Sequence, residues 1–197
     1  MLEARRYREI AALHVEGIKD GFLSSLGVDV LALIYRAIDE ADECVLIVEM
    51  DEDCVIGFVA GGAGMRPIYK RMLARFPQLV KALAPELLKP KKLRGLAEIL
   101  TRRGSQDEGA ADTNLPDAEL FSIVVASANR GQGVADRLYV EFARQLAKRG
   151  FDAFKIMVGE DLQTAHSFYR RMGAVPKLTA TFHKGAKSVL YVHRLPR

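Results

Sequence analysis

The chain holds only two cysteines in 197 residues, Cys44 and Cys54, and they flank the turn Asp51-Glu52-Asp53. On an antiparallel hairpin that spacing sets them about six residues, or ~20 Å, apart along the strands. Bonded Cα atoms lie within about 7 Å, so a disulfide is excluded. Histidine is sparse too: His14, His166, His183 and His193 offer no ligand spacing, alone or with the cysteines, and no metal is expected. No apolar run approaches the roughly 20 residues of a membrane span. The N-terminal Met1-Leu2-Glu3-Ala4-Arg5-Arg6 lacks the apolar centre of a signal peptide, so a cytoplasmic location is expected. Low-complexity tracts and internal repeats are missing. At 49% hydrophobic residues the length suits one domain, 1–197, with a full core.

What the chain does have is an apolar stretch, Leu120 to Ala126, running into Ser127-Ala128-Asn129-Arg130-Gly131-Gln132-Gly133 and then an amphipathic segment. Val134, Leu138, Phe142 and Leu146 recur every four residues, with Arg137, Glu141, Arg144 and Lys148 opposite, which predicts a helix. A buried strand therefore delivers the chain to a helix N-terminus. There the first N–H groups lack intrahelical partners, the dipole is positive, and Gly131 and Gly133 leave room for a bulky anion. The expected ligand is a pyrophosphate; the competing reading is a tight turn that needs glycine for positive φ. A Walker loop would require Gly-Lys-Ser/Thr, which does not follow Gly133. A dinucleotide fingerprint would require glycine where Asp136 stands and an acid where the chain reads Phe154-Lys155-Ile156.

The stretch resembles motif A of the GNAT superfamily of acetyl-CoA-dependent N-acetyltransferases, Arg/Gln-x-x-Gly-x-Gly/Ala, here Arg130-x-x-Gly133-x-Ala135 behind the strand Glu119 to Val125. Downstream, Ala165, Tyr169 and Gly173 match the family's Ala-x-x-x-Tyr-x-x-x-Gly helix, and Cys54 to Gly61 resembles its third strand. The resemblance implies an α/β (α+β) acyl-CoA N-acyltransferase fold, a mixed central sheet flanked by helices, with a helical insertion between the third and fourth strands. It implies acetyl-CoA as cosubstrate and a primary amine as acceptor, attacking the thioester directly in a ternary complex. The motif A strand and its parallel neighbour, Asp152 to Val158, should splay to admit the pantetheine arm, with Ile123 and Val125 presenting backbone groups. A backbone N–H near Val124 or Val125 would polarise the carbonyl. Arg130, Gly131, Gln132, Gly133, Val134 and Ala135 would hold the pyrophosphate.

Carried over in the same way, Tyr169 protonates the departing thiolate; a core tyrosine is the alternative. Glu119 is the candidate base acting through water, with an ordinary strand-edge acid as the alternative and Glu160, Asp161 and His183 as substitutes. Phe22, Ser24 and Ser25, in the loop between the first two helices, are acceptor-binding candidates or simple loop packing. The first helix should present Tyr7, Ile10, Ala11, His14 and Ile18 on one face, and Asp29 should cap a second helix, as Asp161 should cap the last. Three departures stand out. Only about six residues precede the first helix, so the family's first strand is short or missing. Leu162 replaces an asparagine that contacts the pantetheine arm, and Ala174 replaces an aromatic residue.

Residues 65–114 form the predicted insert, a helical subdomain followed by a polar loop from Gly104 to Pro116. Between Arg66 and Arg103, eleven Lys or Arg face two Glu, a local +9; the whole chain carries +4, so the remainder carries −5. Such a patch attracts anions whatever the total charge. An anionic acceptor such as a nucleotide-linked amino sugar, the phosphates of CoA, and a merely solvated face all fit. Nucleic acid ranks last, since Tyr69 and Phe76 are the only aromatic residues there. The expected partner is a small-molecule amine, with no membrane and with a homodimer left open. The contrasting reading is a non-catalytic acetyl-CoA-binding or partner-docking module.

Overall fold

The computed structural model describes residues 1–18, 23–75, 115–183 and 186–196. Helix α1, Ala4–Gly17, buries Tyr7, Ile10, Ala11, Leu13 and His14, the stripe expected of an amphipathic helix against a core. Helix α2, Val28–Asp39, buries Val30, Leu31, Ile34, Tyr35, Ala37 and Ile38. Asp29 does not cap it. The cap position is Gly27, and Asp29 lies inside the first turn, where the dipole favours an acid, paired with Arg8 at 2.7 Å. The next two elements, β1 (Cys44–Asp51) and β2 (Cys54–Gly62), form a hairpin. Its register sets Cys44 opposite Gly62 and Cys54 opposite Asp51, so the free thiols sit at opposite ends.

Helix α3, Arg66–Ala74, opens the insert interval and is tied to α2. Arg75 pairs with Glu40 at 2.6 Å, and Arg71 Nε donates to the Glu40 carbonyl at 2.7 Å. The rest of the predicted insert, 76–114, lies outside the described residues. The chain continues through β3 (Ala118–Val125), α4 (Val134–Lys148), β4 (Ala153–Gly159), α5 (Gln163–Arg171), β5 (Val175–His183) and β6 (Ala186–Arg194). Asp161 is not the cap of α5; Leu162 occupies that position with no side-chain bond.

The six strands run in the order β1-β2-β3-β4-β6-β5, antiparallel except for β3 with β4. No strand precedes α1 among the described residues, so β1 forms that edge of the sheet. Two apolar layers cover the two faces. On one, α1 and α2 pack on Cys44, Phe58, Ala60 and Val124. On the other, α4 and α5 pack on Val45, Val59, Leu120, Phe154, Ile156 and Tyr191. Burying both faces of a central sheet accounts for the largely apolar content of β2 and β3. No helix among the described residues is long and apolar enough to cross a membrane.

A bulge in β3 changes which face its residues serve. Gly61 pairs with Leu120 and Ala60 with Ser122, leaving Phe121 as the extra residue. Ala118 and Leu120 therefore pack on the α4/α5 side, whereas Phe121 and Ser122 both turn to the α1/α2 side. Gly61 makes this approach feasible: a Cβ there would meet the Glu119 carbonyl oxygen at 2.3 Å and Phe142 Cζ at 2.4 Å.

Candidate functional site

The parallel ladder between β3 and β4 is short. It joins Ala118 to Phe154, Glu119 to Lys155 and Leu120 to Ile156, and then stops. Beyond it, Ser122 to Val125 pair only with β2, and Met157 to Gly159 only with β6. The backbone edges of Ile123 and Val125 that face β4 are thus free of strand partners, whereas Val124 turns its N–H and carbonyl to Phe58 of β2, and the sheet is open between its third and fourth strands. Because buried backbone polar groups demand partners, such an opening is suited to an extended amide-bearing chain.

At the mouth of the opening stands the glycine loop. After Ala126 a single 3₁₀ turn, Ser127–Asn129, leads through Arg130 to Gly131 and Gly133, with φ of 76° and 73°. Both glycines occupy the left-handed region, so the backbone itself requires them. A Cβ at Gly131 would meet nothing within 4 Å, and one at Gly133 only Arg137 Nη1 at 3.5 Å. The first helical bond of α4 runs from the Arg137 N–H to the Gly133 carbonyl at 3.1 Å, which leaves the N–H groups of Val134, Ala135 and Asp136 without intrahelical partners. Arg130, Gly131, Gln132 and Gly133 are exposed, Ala135 half-buried and Val134 buried. Arg130 Nε donates to the Val125 carbonyl at 3.3 Å, and Gln132 Nε2 to the Ala128 carbonyl at 3.2 Å. Asp136, an acid in the same first turn, is neutralised by Arg171 from α5 through bonds of 2.5 and 2.9 Å.

Tyr169 lies on the α4/α5 side, with ring centroids 6.1 Å from Tyr139 and 6.3 Å from Tyr191. Burial raises its phenol pKa well above the ordinary value. Glu119 belongs to the other side of the sheet, since alternation sends it where Phe121 goes, beside Lys155 on the neighbouring strand. Burial raises its carboxyl pKa, and the Lys155 charge offsets part of the rise. Ser24 Oγ donates to the Ile18 carbonyl, closing the end of α1; Ser25 is exposed; Phe22 lies outside the described residues. His183, one of the alternative bases, is at the end of β5, far along the sheet order from β3.

The family model for the GNAT acetyltransferases matches residues 18–174, which span the opening, the glycine loop and α5. The chain belongs to the GNAT acetyltransferase family. No curated protein matches the sequence. Among solved structures, an N-acetyltransferase from Staphylococcus aureus Mu50 has a TM-score of 0.63 at 13% identity, covering 99% of this chain and 96% of the other. The ribosomal-protein-S18-alanine N-acetyltransferase from Escherichia coli gives 0.59 at 10% identity, covering 100% and 92%. An aminoglycoside 6'-N-acetyltransferase complexed with coenzyme A gives 0.59 at 11%, covering 97% and 92%. At these identities the likeness is one of fold.

Within this GNAT domain, two buried histidine contacts have no counterpart in the sequence reading. His166 bridges three elements: its Nδ1 is 2.8 Å from the Tyr191 hydroxyl and its Nε2 is 3.0 Å from the Gly159 carbonyl. The carbonyl can only accept, so Nε2 carries the proton and Tyr191 donates to Nδ1. The imidazole thereby fixes α5 against the far end of β4, the wall of the opening. His14 makes the second contact, to Tyr35, and Tyr35 bonds Ser122. The signal available in the sequence was the place of His14 on the apolar face of the first helix; none marked His166. No group of three or more His, Cys, Asp or Glu among the described residues is placed to hold a metal.

Proposed function

We propose that this GNAT domain transfers an acetyl group from acetyl-CoA to a primary amine, by direct attack in a ternary complex. The observation that carries the reading is the parting of β3 from β4 after Leu120 and Ile156, with the N-terminus of α4 and its two glycines at the mouth. The Ile123 backbone and the Val125 N–H, with no strand partner on the β4 side, are suited to the amides of a pantetheine arm, and the Val125 carbonyl is held by Arg130. The free N–H groups from Gly131 to Ala135 suit the pyrophosphate, with Arg130 and the Gln132 backbone beside them. As the amine nitrogen bonds to the thioester carbon, the carbon–sulfur bond breaks. The carbonyl oxygen gains charge, which the backbone N–H of Val125 would stabilise, since that of Val124 is turned to Phe58 of β2. The amine proton passes through water to Glu119, and the thiolate takes the Tyr169 proton, later restored from solvent.

The acceptor class we put first is the amino group of a sugar, including nucleotide-linked amino sugars. It draws on the +9 charge between Arg66 and Arg103, which suits an anionic acceptor. One structural neighbour is an aminoglycoside 6'-N-acetyltransferase, which supports an amino-sugar acceptor though not its anionic charge. The test is a screen of primary amines with acetyl-CoA and a free-thiol readout. Turnover with an amino sugar supports the reading. Acetyl-CoA binding without turnover on any amine replaces it with a non-catalytic binding module.

A further inference from the structure

Three polar side chains cross the otherwise apolar core between the sheet and helices α1 and α2. His14 Nδ1 meets the Tyr35 hydroxyl, and that hydroxyl lies 3.1 Å from Ser122 Oγ. All three are buried, at 3%, 2% and 7% exposure. Phe58 encloses them, its ring stacked on His14 at 6.4 Å and edge-on to Tyr35 at 5.0 Å. Replacing buried hydrogen-bonded groups by apolar ones of the same shape is often close to neutral, so stability alone does not account for this chain.

The chain has a direction. Burial keeps His14 neutral, with a pKa lowered to about 4, so one ring nitrogen is a bare acceptor. A phenol is the stronger donor and imidazole nitrogen the stronger acceptor, so Tyr35 O–H donates to Nδ1. The Tyr35 oxygen then accepts from Ser122 O–H. Ser122 Oγ has no other partner among the described residues, and its own lone pairs are unused. The polarised chain ends in an acceptor.

In strand position that end falls in the part of β3 beyond the β3–β4 ladder, with the side chain on the α1/α2 face. Ser122 is two residues beyond the last β3–β4 pair, and the bulge at Phe121 turns it to the same face as Glu119. The end of α1 rests on the next part of the strand, where a Cβ at Gly17 would meet Val124 Cγ1 at 2.4 Å. We propose that Ser122 Oγ accepts a hydrogen bond from an N–H of the acceptor amine, in a subsite on the α1/α2 face of the β3–β4 opening, with Tyr35 and His14 as positioning residues behind it. The bond orients the nitrogen lone pair toward the thioester carbon, and the departing proton goes to Glu119 rather than to Ser122. This rests on the acetyl-transfer reading above.

The experiment measures steady-state kinetics with the best amine from the screen. Ser122→Ala should lower kcat/KM for the amine by about 10- to 100-fold, the effect of one lost oriented hydrogen bond, with the KM for acetyl-CoA within about twofold. Ser122→Thr, which keeps the hydroxyl, should recover most of the loss. Tyr35→Phe keeps the ring and the packing and should give a smaller loss of the same kind; it carries the test if Ser122→Ala does not fold. Wild-type kcat/KM for the amine in Ser122→Ala or, failing that variant, in Tyr35→Phe overturns the subsite and leaves acetyl transfer standing. A parallel rise in both KM values also overturns it, as a packing defect. No turnover of any amine by the unaltered protein overturns both readings.

Discussion

Burial acts in the same direction on Tyr169 and Glu119, with opposite consequences for their proposed tasks. It raises both pKa values. A phenol with a raised pKa keeps its proton at every working pH but is a weaker acid, so its transfer to the thiolate has to be helped by the thiolate's own burial, while a carboxylate with a raised pKa is a stronger base once ionised. Tyr169→Phe should lower kcat on the order of 10²-fold or more, with acetyl-CoA affinity measured by calorimetry nearly unchanged. Wild-type turnover would make Tyr169 a core residue. His14 answers to burial with the opposite sign, since its charged form is the protonated one. Its pKa falls from 6.5 to about 4. Unfolded chains bind a proton at His14 below pH 6.5 and the folded protein does not, so stability is full above that pH and is lost as pH falls toward 4. The loss from this group amounts to roughly 3 kcal/mol. Burial also lowers the His193 pKa, which acts in the same sense, so His14→Gln isolates the contribution. The gap between the denaturant midpoints at pH 7 and pH 4.5 should be smaller in that variant than in the unaltered protein.

Among the elements, α4 concentrates the most consequence in the fewest residues. Its apolar stripe, Val134, Leu138, Tyr139, Phe142 and Leu146, sets the helix on the sheet, and its first turn is then aimed at the mouth of the opening. Gly133 must adopt φ of 73° for that turn to form, a conformation β-branched residues resist. Gly133→Val should therefore reduce acetyl-CoA affinity by about 100-fold or more in calorimetry, because it displaces several N–H groups together. Gln132→Ala, which leaves the backbone intact, should bind nearly as the unaltered protein does. Equal affinity in a folded Gly133→Val variant would remove this loop from the site. Helix α5 complements α4: Arg171 neutralises Asp136, and His166 holds the far wall.

For the whole molecule the unresolved balance is electrostatic. The segment from Arg66 to Arg103 carries +9 in a chain whose remainder is −5, and Lys89, Lys91, Lys92 and Arg94 lie outside the described residues. Charges of this kind act over a Debye length of about 10 Å at 0.1 M salt. If they hold an anionic acceptor, neutralising those four residues together should raise the acceptor's KM and flatten its salt dependence, with the KM for acetyl-CoA little changed. If they hold the CoA phosphates, the two constants exchange behaviour. A solvated face moves neither. Steep salt-dependent binding to DNA or RNA, lost in the same variant, would favour the nucleic-acid reading.

Local periodicity and motif spacing were enough to read most of this protein. Val134, Leu138, Phe142 and Leu146 announce α4 by themselves, and the hairpin from Cys44 to Gly62 follows from its β-branched content, because these patterns are short-range. The run from Glu119 through Gly133 likewise announces strand, loop and helix, and with Ala165, Tyr169 and Gly173 it points to the family. Caps were less legible: Asp29 and Asp161 have the right chemistry, yet tertiary packing starts each helix one or two residues away from the expected boundary. Only the folded chain decided where β3 parts from β4, since strand register depends on neighbours distant in sequence. The bulge at Phe121 belongs to that class. A single unpaired residue turns Ser122 from one face to the other, and no alternation pattern within β3 announces it. The His14–Tyr35–Ser122 chain unites positions up to 108 residues apart, so it exists only once two helices and a strand have closed around Phe58.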